Sequence, residues 1–144
     1  MANTRKRKLY EKYLNCLNTQ MPRKQQKKYS IGDELKDRTY RFAMNIIKLA
    51  ALLPNTEEGR LVRRQLCKSG TSVGANLEEA DGSLTLNDFV HKVDIAFKEA
   101  KETRYWLRMI IDRRLLTKNT VSPHHEESVE LIKILSTIIF RCLK

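Results

Sequence analysis

Gln65-Leu66-Cys67-Lys68-Ser69-Gly70-Thr71-Ser72-Val73-Gly74-Ala75-Asn76-Leu77-Glu78-Glu79-Ala80 sets apolar or small residues at Leu66, Ser69, Val73, Leu77 and Ala80, along one face of a helix. Gly70 and Gly74 fall inside that helical period. Each glycine costs a helix about 1 kcal/mol relative to alanine. A helix that keeps two of them is letting another backbone come close. The segment is therefore expected to be a tightly packed central helix.

The flanking segments carry the same period. Upstream, a helix is expected from near Asp33 to just before Pro54, with Leu35, Phe42, Ile46, Leu49 and Leu53 as its stripe, widened by Ala43, Ile47 and Ala50. Thr56 is the expected N-cap of the central helix, which runs to about Asp81, where Gly82-Ser83 interrupts it. Thr85-Leu86-Asn87-Asp88 has the form of a capping box and opens a third helix reaching about Leu116. At roughly thirty residues this rod would be ~45 Å long. The fourth helix is expected to begin with Ser122 as N-cap and Pro123 at the first helical position. Its stripe is Val129, Ile132, Leu135, Ile138, Ile139 and Cys142. Short connections favour antiparallel neighbours. The fold class is all-α: an up-and-down antiparallel four-helix bundle over residues 31–144, with a basic N-terminal extension over residues 1–30.

Read with Asp88-Phe89, Ile95-Ala96, Lys98-Glu99-Ala100, Glu102-Thr103 and Trp106-Leu107, the opening stretch resembles a bacterial four-helix-bundle family. These proteins were first seen as reading frames inside 23S rRNA intervening sequences. A related branch is the accessory variability determinant of diversity-generating retroelements. The resemblance spans residues 33 to 143 and joins motifs on two consecutive helices. It implies a bundle assembled as a ring-shaped pentamer with basic surfaces, and a family without an established enzymatic activity.

The formal charge of +11 is unevenly placed. Residues 1–30 hold nine Lys/Arg against the single acid Glu11, and the remaining residues are nearly balanced, at +3. In the arm, Tyr10, Tyr13, Leu14 and Leu17 share one face of a possible short helix, while Arg5, Lys6, Arg7, Lys8 and Lys12 supply charge. Pro22 breaks any helix in the linker that follows, where Arg23, Lys24, Lys27 and Lys28 repel one another. A solubilising tail and a phosphate-binding arm both fit this composition. Cys16, Cys67 and Cys142 lack CxxC spacing, which points to reduced thiols in the cytoplasm. No apolar run is long enough to span a bilayer, and the apolar face of residues 5–17 is only about two turns long, so neither a membrane span nor a surface anchor is the expectation.

Catalytic and metal chemistry find little footing. A di-iron bundle needs Glu-x-x-His pairs on two helices. Glu78, Glu79, Glu99 and Glu102 have no histidine at that offset, and His124 and His125 are expected to be exposed at the start of the fourth helix. No metal, no cofactor and no enzymatic activity are expected. Asn76, Glu79, Glu99, Glu102 and Thr103 could form a polar network or ligand site. Helix registration and surface pairing, including Glu102 with Lys98, account for them more simply.

Residues 105–111 are apolar around the whole helix except at Arg108, which fits either a central helix buried by its own bundle or, the favoured expectation, an oligomer interface at Tyr105, Trp106 and Met109. Two basic stripes are candidate phosphate contacts, although a solvated face accounts for either one alone more simply: Arg60, Arg64 and Lys68 on the second helix, and Lys101, Arg104 and Arg108 on the third. Arg113 and Arg114 are accounted for by the dipole at a helix C-terminus. The expected function is a non-catalytic oligomer that binds structured RNA or RNA/DNA, with a reverse transcriptase as a further partner if the retroelement branch applies. The alternative is a scaffolding homo-oligomer whose basic arm docks an acidic protein.

Overall fold

The computed structural model describes residues 29–144, so the candidate contacts from Arg5 to Lys28 lie outside the described residues. Four helices follow in order: α1 (Asp33–Ala51), α2 (Glu57–Asp81), α3 (Leu86–Asp112) and α4 (Lys118–Cys142). No strand occurs among the described residues. Threonine hydroxyls start three of the helices. Thr56 accepts from the Gly59 amide, Thr85 from that of Asp88 and Thr117 from that of Thr120, satisfying N–H groups that have no partner inside the helix.

Each helix packs chiefly on its neighbours in the chain, and α1 meets α4 only lightly. That order follows from the short connections between successive helices. The core is aliphatic: Ile46 from α1, Leu66, Val73 and Leu77 from α2, Val93, Leu107 and Ile110 from α3, and Leu131 and Leu135 from α4 are all fully buried. Each such side chain stabilises the fold by about 1.5–3 kcal/mol. Arg38 spans the lighter α1–α4 seam, its Nε donating to Glu127 Oε1 at 2.6 Å and its Nη2 to Oε2 at 2.9 Å.

The glycines of α2 face α1, as the sequence implies. A Cβ on Gly70 would stand 2.6 Å from Ile46 Cγ2, whereas one on Gly74 would meet Thr39 Oγ1 at 3.3 Å. A third close approach, at Gly59, was not marked by the period of the sequence. A Cβ there would overlap the Pro54 carbonyl oxygen, in the loop that has just turned back onto α2.

The main departures from the sequence expectation concern the α3–α4 connection. Helix α3 stops at Asp112 rather than near Leu116, because Arg114 adopts a left-handed φ of 53° and turns the chain. The Leu115 amide then reaches back to the Ile110 carbonyl at 3.0 Å, sealing the helix end. Helix α4 begins four residues earlier than Ser122, so Pro123 lies inside it. The Thr117 cap and the fully buried Val121 hold the first turn despite that proline. The buried stripe of α4 accordingly runs through Val121, Ser128, Leu131 and Leu135, with Ile132, Ile138, Ile139 and Cys142 on its margin and Val129 half-buried. On α1, Ile47 is exposed instead of widening the core.

The chain is anchored just ahead of α1. Ile31 is buried, its amide donates to Asp81 Oδ1 at 3.0 Å, and the Tyr29 ring lies 5.9 Å from that of Phe89. Thus the last residues of the expected linker pack on the bundle where α2 ends and α3 begins.

Candidate nucleic-acid interface

Basic side chains emerge from α2 and α3 because the inward positions are taken by the aliphatic stripe. On α2, Arg60, Arg64 and Lys68 are all exposed. Arg60 is held by Glu57 and by the Asn55 side chain at 3.1 Å, while Arg64 and Lys68 enter no salt bridge among the described residues. Arg63, beside them, serves the fold: its guanidinium donates to the Ala50 carbonyl at 3.1 Å and the Leu53 carbonyl at 2.5 Å, capping the end of α1.

The α3 stripe is less uniform. Lys101 is exposed, with its ammonium 5.4 Å from the centre of the Phe97 ring; Arg104 is half-buried, and Arg108 pairs with Asp112 at 3.4 Å. Arg113, assigned by the sequence to the helix dipole alone, crosses to α2 and donates to Glu58 at 2.5 Å. The hydrogen bond from Arg113 holds the Glu58 carboxyl below its ordinary range. This pair ties the end of α3 to the start of α2, a neighbourhood implied by antiparallel topology but by no local motif.

The polar positions between α2 and α3 mostly register the helices. Thr103 Oγ1 lies 3.0 Å from Ser69 Oγ inside the core, Lys92 pairs with Glu79, and Asn76 donates to the Ser72 carbonyl of its own helix. Glu102 does not pair with Lys98, which is taken by Asp94; instead it accepts from Trp106 Nε1 at 3.1 Å. Burial pushes the Glu99 carboxyl above its ordinary value, Glu102 adds to that, and Lys68 opposes it.

The histidines also depart from expectation. His124 and His125 are half-buried in the second turn of α4, and burial lowers the imidazole pKa of His124. No group of three or more His, Cys, Asp or Glu placed to hold a metal occurs among the described residues. None of the described helices is long and apolar enough to cross a membrane.

In the interface segment, one chain buries only part of what the sequence makes apolar. Leu107 and Ile110 are fully buried, Trp106, Met109 and Ile111 are half-buried, and Tyr105 is 56% exposed. Tyr105 and Trp106 stack edge to face with ring centres 5.0 Å apart.

Residues 33–137 match the model of the 23S rRNA-intervening sequence protein family. A solved structure of similar shape is that of a protein of unknown function from the S23 ribosomal protein family of Bacteroides thetaiotaomicron. It is 38% identical, with a TM-score of 0.68, over 72% of this chain and 96% of that one. Comparison with curated proteins gives no match.

Proposed function

The chain belongs to the 23S rRNA-intervening sequence protein family, and on that footing we propose that it is a non-catalytic, oligomeric nucleic-acid-binding protein. Its targets are structured RNA or an RNA/DNA intermediate. The observation that carries this is the charge: +11 in 144 residues, with exposed arginines and lysines left over on the bundle after its ion pairs are made. Lys and Arg contacts to phosphates give affinity with little base readout. The finer reading, an accessory partner of a retroelement reverse transcriptase, rests on the resemblance to that branch.

Assembly into a homopentamer is part of the proposal. Tyr105, Trp106 and Met109 supply an aromatic and apolar surface that one chain leaves partly open, a composition suited to interface cores. The test is RNA binding by fluorescence anisotropy across a salt series, with light scattering on the same samples. Binding whose log affinity falls linearly with log salt supports the proposal. Salt-independent binding, or binding to anionic vesicles and heparin but not RNA, would count against it.

A further inference from the structure

We propose that nucleic-acid phosphates are gripped by one end of the bundle, the pole formed by Arg60, Arg64, Arg113, Arg114 and Lys118, and not by its long sides. The proposal deepens the nucleic-acid-binding reading and rests on it.

The fold sorts charge along its axis in a way the linear sequence does not display. Dividing each helix near its middle, the half made of residues 41–68 and 98–130 holds thirteen Lys/Arg and eight Asp/Glu. The other half, residues 31–40, 69–97 and 131–144, holds six and eight. The basic half carries the start of α2, the end of α3 and the start of α4. The Arg113–Glu58 pair fixes the first two side by side, and the short turn Arg113–Thr117 brings the third.

Three cations at this pole sit against a local preference. Lys118 occupies the first turn of α4, and Arg60 the first turns of α2, where helix dipoles favour acids. Arg114 takes a left-handed φ of 53° at the end of α3, a position that favours glycine. Arg60 is offset locally by Glu57 and Asn55, whereas no salt bridge among the described residues offsets Lys118 or Arg114. The acids there are already engaged: Glu57 by Arg60 and Glu58 by Arg113. Arg64, Arg114 and Lys118 are exposed and enter no salt bridge among the described residues. The N-termini of α2 and α4 open on this pole beside the C-termini of α1 and α3, and Glu57, Glu58, Arg60, Leu61 and Arg64 line a cleft of about 440 Å³. Oxygens of a phosphodiester backbone would meet the free guanidinium and ammonium groups of Arg64, Arg114 and Lys118 here.

The experiment compares two triple variants of the full chain on a labelled RNA hairpin over a salt series. One is Arg64→Gln/Arg114→Gln/Lys118→Gln at the pole; the other is Lys68→Gln/Lys101→Gln/Arg104→Gln along the sides. Each removes the same charge. The pole variant is expected to lower the log–log salt slope by about two, since each lost phosphate contact is worth roughly 0.7–0.9. The side variant should change it by less than about half as much. A single variant, Arg114→Gly, guards against a purely structural effect: it relieves the left-handed backbone, so it should raise the melting temperature while still weakening RNA binding. Equal slope changes in the two triples, or a larger one in the side variant, would overturn the pole while leaving the nucleic-acid reading standing. Failure of the unaltered protein to bind RNA or DNA at low salt would overturn both.

Discussion

Gly70 of α2 faces Ile46 of α1 so closely that a Cβ at position 70 would stand 2.6 Å from Ile46 Cγ2. Ile46 is fully buried and has no room to retreat. The predicted order of damage on substitution by alanine is therefore Gly59 worst, then Gly70, then Gly74. Alanine gains about 1 kcal/mol of helix propensity at each site. Overpacking costs roughly 1–3 kcal/mol in return. At Gly59 the obstacle is backbone, and a net loss of about 2 kcal/mol or more is expected. At Gly74, 3.3 Å from Thr39 Oγ1, the two effects should nearly cancel for alanine, while leucine remains far more damaging than Lys118→Ala. Urea unfolding of the five variants checks the order.

Thr103 and Ser69 form a hydroxyl pair in an otherwise aliphatic seam between α2 and α3. Thr103→Val keeps the shape but removes one partner, and should destabilise by about 1–2 kcal/mol. Thr103→Val with Ser69→Ala removes both, and should cost less than the sum of the single changes. A double-mutant cycle with additive energies would show that the pair contributes nothing as a unit.

Pro123 has no amide to offer the Asn119 carbonyl four residues earlier in α4. Pro123→Ala restores that hydrogen bond and relieves the ring from the preceding turn. A gain of about 1–2 kcal/mol is expected after subtracting the freedom alanine adds to the unfolded chain. Thermal unfolding followed by circular dichroism is sufficient, and an unchanged or lower midpoint would contradict the strain assigned to this turn.

Two groups tie stability to pH in opposite directions. Burial, reinforced by Glu102, raises the Glu99 carboxyl above its ordinary 4.5, so its contribution is fully present below that value and is lost as pH rises through the folded value. Glu99→Gln should then stabilise the protein at neutral pH and not in acid. Burial depresses His124 below 6.5, so the unfolded chain binds its proton more tightly and stability falls as pH drops below 6.5. His124→Gln should flatten that acid limb. Melting midpoints of both variants between neutral and mildly acidic pH read the two effects separately.

If Tyr105, Trp106 and Met109 meet another copy of the chain, Trp106→Ala should weaken assembly or stability by about 3 kcal/mol or more. Light scattering that finds the unaltered protein monomeric at micromolar concentration would remove that interface. Retention of the oligomer in Trp106→Ala and in Tyr105→Glu would move it elsewhere, for instance to Tyr40, Met44 and Ile47, which α1 also leaves exposed.

Helix identity, order and inward faces were legible in the chain wherever a long apolar period ran uninterrupted. Leu66, Val73 and Leu77 are buried where that period places them, and Thr56 and Thr85 cap the helices they were expected to cap. Such features depend on residues within a few turns of one another, and a linear sequence shows those directly. The α3–α4 connection was misjudged because Ser122-Pro123 imitates a helix start. Burial of Val121 against the rest of the bundle decides it instead, and burial is a tertiary quantity. Gly59 against Pro54, Arg63 on the end of α1, Arg38 on Glu127 and Arg113 on Glu58 likewise join groups that only folding brings together. The sequence determined how much positive charge this protein carries and that four helices carry part of it. Tertiary structure decided which cations are consumed in pairs and which gather at one pole, because charges interact through space and not along the chain.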